Sequence, residues 1–210
     1  AAKHGYDFLC LRSTYNGYKD PVSWLKIEWI QKNLKNYDWI FWSDADSVIT
    51  NQEIRLEDII DNKFVRPENV MVSPEVHSIS VKLPELLQTS YIIAYDDYSP
   101  CMGNFLIKNT VWSEKFISEI LRLKEKYYNN TIWDNRAQDY LFSEAPAIMS
   151  SVDFVPQKAL NSGIFQWTKG DFMLHFYATA EKWRLEKLIE TAIKTPLSIK
   201  HVFNECEIRL

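Results

Sequence analysis

Four consecutive apolar residues, Trp39-Ile40-Phe41-Trp42, run without a break into Ser43-Asp44-Ala45-Asp46. A short apolar run of this kind is what a strand buried in the middle of a sheet looks like. Two carboxylates at i and i+2, where such a strand ends, are costly unless something neutralises them. A divalent cation that prefers hard oxygen ligands, Mn²⁺ or Mg²⁺, does so and can bridge to a diphosphate. Ligands of open α/β sheets sit at the carboxyl ends of strands, which is where this pair falls. For an isolated Asp-x-Asp the alternative is a solvated turn.

The surrounding chain reads as strands alternating with helices, hence an α/β fold with a mixed sheet. The opening residues predict the end of a helix capped by Gly5, followed by a strand over Tyr6–Leu11. Asp20 is a good N-cap with Pro21 at the first position of a helix whose apolar face is Val22, Leu25, Ile27, Trp29, Ile30 and Leu34. Further strands are expected at Val70–Val72, Ile79–Val81, Tyr91–Ala94, Gly103–Lys108, Val152–Val155 and Phe172–Phe176. Helices are expected from about Ser113 to Tyr127, with Phe116, Ile117, Ile120, Leu121 and Leu123 inward, over Asn135–Phe142, and over Glu181–Lys194. A nucleotide-binding sheet ordinarily begins with a strand, whereas this chain opens in a helix. Either a first strand lies upstream or the sheet is assembled differently.

Length and the absence of repeats or linkers predict one domain over residues 1–210. The net charge of -4 and the lack of a basic run argue against a nucleic-acid partner. Cys10, Cys101 and Cys206 form no zinc spacing and no disulfide framework, which fits a reducing compartment. No apolar run approaches the length of a membrane span. The expected location is a cytoplasm, that of a host cell for a viral protein; a Golgi lumen would need an anchor outside this chain. Aromatic residues are abundant at 14%, and the core accounts for most of them.

The segment Trp39–Asn51 resembles the Asp-x-Asp region of the galactosyl- and mannosyltransferases of the fungal Golgi, glycosyltransferase family 34, which also includes plant xyloglucan xylosyltransferases. Other blocks resemble that family in the same order: His4–Phe8, Trp24-Leu25-Lys26, Gly103–Asn109 with Trp112-Ser113, Gln138-Asp139, Val155-Pro156-Gln157 with Leu160-Asn161-Ser162, and Gly170–Phe176. The chain also resembles glycosyltransferase domains of large algal DNA viruses. The resemblance implies a GT-A fold, with a Rossmann-like mixed central sheet flanked by helices. It implies retaining transfer from a UDP-sugar to a glycan or glycoprotein acceptor, with Mn²⁺ or Mg²⁺ as cofactor. Carried over residue by residue, it makes Asp44, Asp46 and His175 metal ligands and places Asp44 and Ala45 beside the nucleotide. Lys26 would neutralise the diphosphate, and Gln138 and Asp139 would lie by the anomeric carbon and the sugar hydroxyls. Asn161 and Asp171 would support the site or touch the sugar.

Two departures stand out. Cys101-Met102 replaces the Asn-Ser/Thr pair usual before the Gly-x-Phe block, and the lysine that follows the metal histidine in the plant enzymes has only Lys182 nearby. Two other readings compete. A strand followed by Asp44-x-Asp46 also resembles the phosphatase motif of the haloacid dehalogenase group, which expects it on the opening strand. A non-catalytic glycan-binding domain would use the aromatic residues and leave the carboxylates and His175 without a task.

Overall fold

The computed structural model describes residues 1–11, 20–61, 89–96 and 99–177. The chain is a mixed α/β protein with a mixed central sheet flanked by helices. Its strands are β1 (Trp39–Ser43), β2 (Ser47–Ile49), β3 (Tyr91–Tyr95), β4 (Pro100–Lys108), β5 (Val152–Val155) and β6 (Met173–His175). The helices are α1 (Val22–Asn33), α2 (Leu56–Ile60), α3 (Val111–Arg122), α4 (Lys124–Tyr127), α5 (Trp133–Glu144) and α6 (Gln157–Leu160). Four strands form one sheet in the order β1-β4-β3-β5, and β2 pairs with β6 in a second. Contacts group the chain into two compact units.

The first unit comprises Ala1–Phe41, Val72–Ile93 and Leu106–Asp153. Here α1 packs against α3 and α5. The buried face of α1 is Trp24, Lys26, Ile27 and Ile30, continued by Leu34. Val22, assigned to that face from sequence, is 60% exposed. The start of the helix also differs from expectation. Pro21 is the N-cap (φ -52°, ψ 136°), and the Asp20 side chain makes no cap; it accepts a hydrogen bond from Lys124 instead. Helix α3 begins at Val111, where the Thr110 hydroxyl accepts from the Ser113 amide, and buries Phe116, Ile117 and Ile120. Phe116 stacks on Trp112 and Phe142 and tilts against Tyr91, which ties α3, α5 and β3 into one aromatic core.

The second unit comprises Trp42–Met71, Ala94–Phe105 and Phe154–Leu210. Antiparallel β2 and β6 place Ser47 opposite His175, Val48 opposite Leu174 and Ile49 opposite Met173. Met173, Leu174 and His175 are all buried.

Two expectations need correction. Tyr6–Leu11 is not a strand: it is irregular, with Phe8 78% exposed, and among the described residues no strand pairs with it. The apolar run at 39–42 does form a strand, but β1 stands at the end of the sheet order among the described residues, with only Ile40 buried. Its aromatic residues are half-buried, which suits large amphipathic rings at a sheet margin. Gly5 caps the opening 3-10 turn at φ 73°, as predicted. The strands expected at Val70–Val72 and Ile79–Val81, the helix at Glu181–Lys194, and Lys182 lie outside the described residues.

Candidate metal centre

The second unit brings Asp44, Asp46 and His175 together. One ligand-capable atom from each lies within 4.8 Å of the other two, and among the described residues no other group of three does the same. Backbone bonds set the frame. The Asp44 amide donates to the Gly103 carbonyl of β4 at 2.8 Å, and the Ser47 amide closes the turn onto the Asp44 carbonyl at 3.0 Å. The Phe176 amide reaches the Asp46 carbonyl at 2.9 Å, and the His175 amide donates to the Ser162 carbonyl at 2.8 Å. A strand end, a tight turn and a facing strand thus converge within a frame of main-chain bonds.

Side chains then aim the ligands. The Trp42 indole N–H donates to Asp44 Oδ1 at 2.6 Å. Asn161 is fully buried, and its Nδ2 donates to the Tyr95 carbonyl at 3.1 Å. Its Oδ1 therefore faces His175 Nδ1, 2.5 Å away. An amide oxygen only accepts, so the hydrogen-bond network assigns a proton to Nδ1, and in the neutral ring the lone pair is then on Nε2. Nε2 lies 3.3 Å from Asp46 Oδ1. A lone pair and a carboxylate that close repel each other unless a cation or a proton stands between them. Two carboxylates and an imidazole nitrogen are a donor set that could hold a divalent cation. Gly103 is required by this packing: a Cβ there would sit 2.3 Å from His175 Cε1.

The remaining expected residues have defined surroundings. Ala45 is exposed at the tip of the turn. Asp171 accepts from the Thr168 amide at 2.8 Å and the Ser162 hydroxyl at 3.2 Å, with Lys158 Nζ 3.6 Å away, so it orders the loop leading into β6. Lys26, in the first unit, is 5% exposed, with Nζ 2.8 Å from Asp134. It is therefore not a solvated helix lysine, and Asp134, a residue the sequence did not single out, is its partner. Gln138 is fully buried with Oε1 accepting from the Tyr91 hydroxyl at 2.8 Å, while Asp139 is half-buried and lines a shallow surface depression with Tyr127, Arg136, Tyr140 and Ser143. Cys101 and Met102 are core residues of β4, and the Cys101 sulfur accepts the Gly103 amide. Sequence reasoning missed Trp42 and Asn104 as neighbours of the turn. Both lie inside quoted motifs, but nothing in their spacing marks them.

The model of the galactosyl transferase GMA12/MNN10 family matches residues 1–184. The chain belongs to this family. Its relatives include the probable alpha-1,2-galactosyltransferase gmh2 of Schizosaccharomyces pombe, 24% identical over 84% of this chain and 56% of that protein. The probable alpha-1,6-mannosyltransferase MNN10 of Saccharomyces cerevisiae is 23% identical over 77% of this chain and 44% of its own length. The chain thus spans about half the length of the curated relatives it matches. Among solved structures, a glycosyltransferase involved in the glycosylation of the major capsid of PBCV-1 superposes with a TM-score of 0.53 at 15% identity, covering 89% of this chain and 84% of that one. The fold of this GMA12/MNN10 family member is accordingly of the GT-A type. The family match supports neither the phosphatase nor the non-catalytic reading. No helix among the described residues is long and apolar enough to cross a membrane.

Proposed function

We propose that this chain is a metal-dependent glycosyltransferase that moves a sugar from a UDP-sugar to a hydroxyl of a glycan or glycoprotein acceptor, with Mn²⁺ preferred and with retention of anomeric configuration. The convergence of Asp44, Asp46 and His175 carries the reading. When bound there, the cation supplies Lewis-acid stabilisation of the charge on a diphosphate leaving group. The protein's part is preorganisation: Trp42 orients Asp44, Asn161 orients His175, and the turn presents Ala45 on the nucleotide side. Asp171 acts through the loop that it orders.

For Lys26, Gln138 and Asp139 the roles rest on the family resemblance: Lys26 for the diphosphate, the other two for the sugar. Gln138 is a poor nucleophile, so the acceptor hydroxyl attacks from the face the leaving group departs. Analysis of the product's anomeric configuration tests this, and inversion overturns it.

The decisive experiment is calorimetric titration of UDP with Mn²⁺ and with a chelator, repeated on Asp46→Ala. The expected result is metal-dependent binding that the substitution abolishes. Equal UDP binding in chelator would overturn the metal-centred reading. A panel of UDP-sugars then identifies the donor.

A further inference from the structure

Asn104 is fully buried in β4, directly after the glycine that receives the His175 ring. Its Nδ2 donates to the Ser47 hydroxyl at 2.9 Å, while its Oδ1, also buried, has no partner among the described residues. Turning the amide over would exchange the two roles and still leave one amide atom unpaired. A buried polar atom without a partner is a net cost to folding, so Asn104 is a poor choice for packing alone. Among the described residues its side chain makes a single hydrogen bond, to Ser47.

Ser47 is a point of leverage. It follows Asp46, its amide closes the turn onto the Asp44 carbonyl, and it stands opposite His175 in the β2–β6 ladder. Backbone bonds hold Asp44 to Gly103 and Asp46 to Phe176. The Asn104–Ser47 bond is a side-chain tie from β4 to the residue where the turn becomes β2.

We infer that Asn104 is a positioning residue, holding Ser47 so that the carboxylates of the Asp44–Asp46 turn keep the geometry a divalent cation needs, at the expense of fold stability. The inference rests on the metal-centred reading above. Outer residues that orient metal ligands typically change affinity tenfold to a hundredfold when removed.

The test is Asn104→Leu, close to Asn in shape and free of the unpaired amide, with Ser47→Ala as a second variant. Mn²⁺ affinity is measured by calorimetry and the metal-free melting temperature by circular dichroism in chelator. The expected result is Mn²⁺ binding roughly tenfold or more weaker in Asn104→Leu, with a metal-free melting temperature equal to or above that of the unsubstituted protein. Ser47→Ala weakens Mn²⁺ binding in the same direction, and the double variant is no weaker than the worse single one, because both remove the same tie. Unchanged Mn²⁺ affinity in Asn104→Leu overturns the inference, as does a loss of affinity matched by a lower metal-free melting temperature. Absence of Mn²⁺ binding by the unsubstituted protein overturns the metal reading itself, an outcome distinct from either.

Discussion

A histidine becomes a metal ligand through its second nitrogen as much as its first. In His175 that nitrogen is Nδ1, held by Asn161 Oδ1, and the amide of Asn161 cannot turn over without losing the Tyr95 carbonyl. The consequence is a ring with one tautomer and one orientation, buried to 3% exposure. Asn161→Ala is expected to weaken Mn²⁺ binding by roughly tenfold to a hundredfold, measured by calorimetry, while Asn161→Asp, which keeps the acceptor, retains more affinity than Asn161→Ala. The grouping of Asp44, Asp46 and His175 was legible in the sequence because the family-like blocks containing them are short and ordered. The tautomer was not, since it depends on a bond between residues 14 apart and on an amide anchored 66 residues away.

Among the elements, α1 shows why apolar periodicity alone misjudged a face. Lys26 lies on the buried side because α5 offers it Asp134, with both side chains 6% exposed. Removing one partner of such a pair strands a buried charge. Lys26→Met is expected to destabilise the fold by about 3–5 kcal/mol, with Lys26→Met/Asp134→Leu recovering most of that, as read by urea denaturation. The same helix is tied at its outset to α4. Lys124 bridges Asp20 and Glu28, and the hydrogen bond from Lys124 holds the Asp20 carboxyl below its ordinary value. A lowered carboxylate pKa contributes stability that is full above the unfolded-state value and disappears as pH falls through the folded one. Acid unfolding should therefore show a small Asp20 contribution below about pH 4 that Lys124→Met abolishes, measured by melting temperature against pH. Apolar runs with a helical or strand period gave β1, β3, β4, α3 and α5 with ends a few residues out. Tyr6–Leu11 looked like a strand for the same reason, but alternation becomes a strand only when a neighbour supplies hydrogen bonds.

At the scale of the whole molecule, the family and the GT-A fold were readable because six blocks besides the Asp-x-Asp segment resemble the family in one order, although identity to these relatives is only 23–24%. The sugar and the acceptor were not, since one hydroxyl contact can reverse a pocket's preference. The chain carries eight tryptophans, and one of them, Trp42, donates its indole N–H to Asp44 Oδ1. That bond gives the molecule a built-in optical reporter. Paramagnetic Mn²⁺ should quench a share of the intrinsic fluorescence while diamagnetic Mg²⁺ leaves the intensity largely intact, and Trp42→Phe should remove most of the Mn²⁺ response. Ligand occupancy could then be followed by light emission at concentrations too low for calorimetry, with no label added.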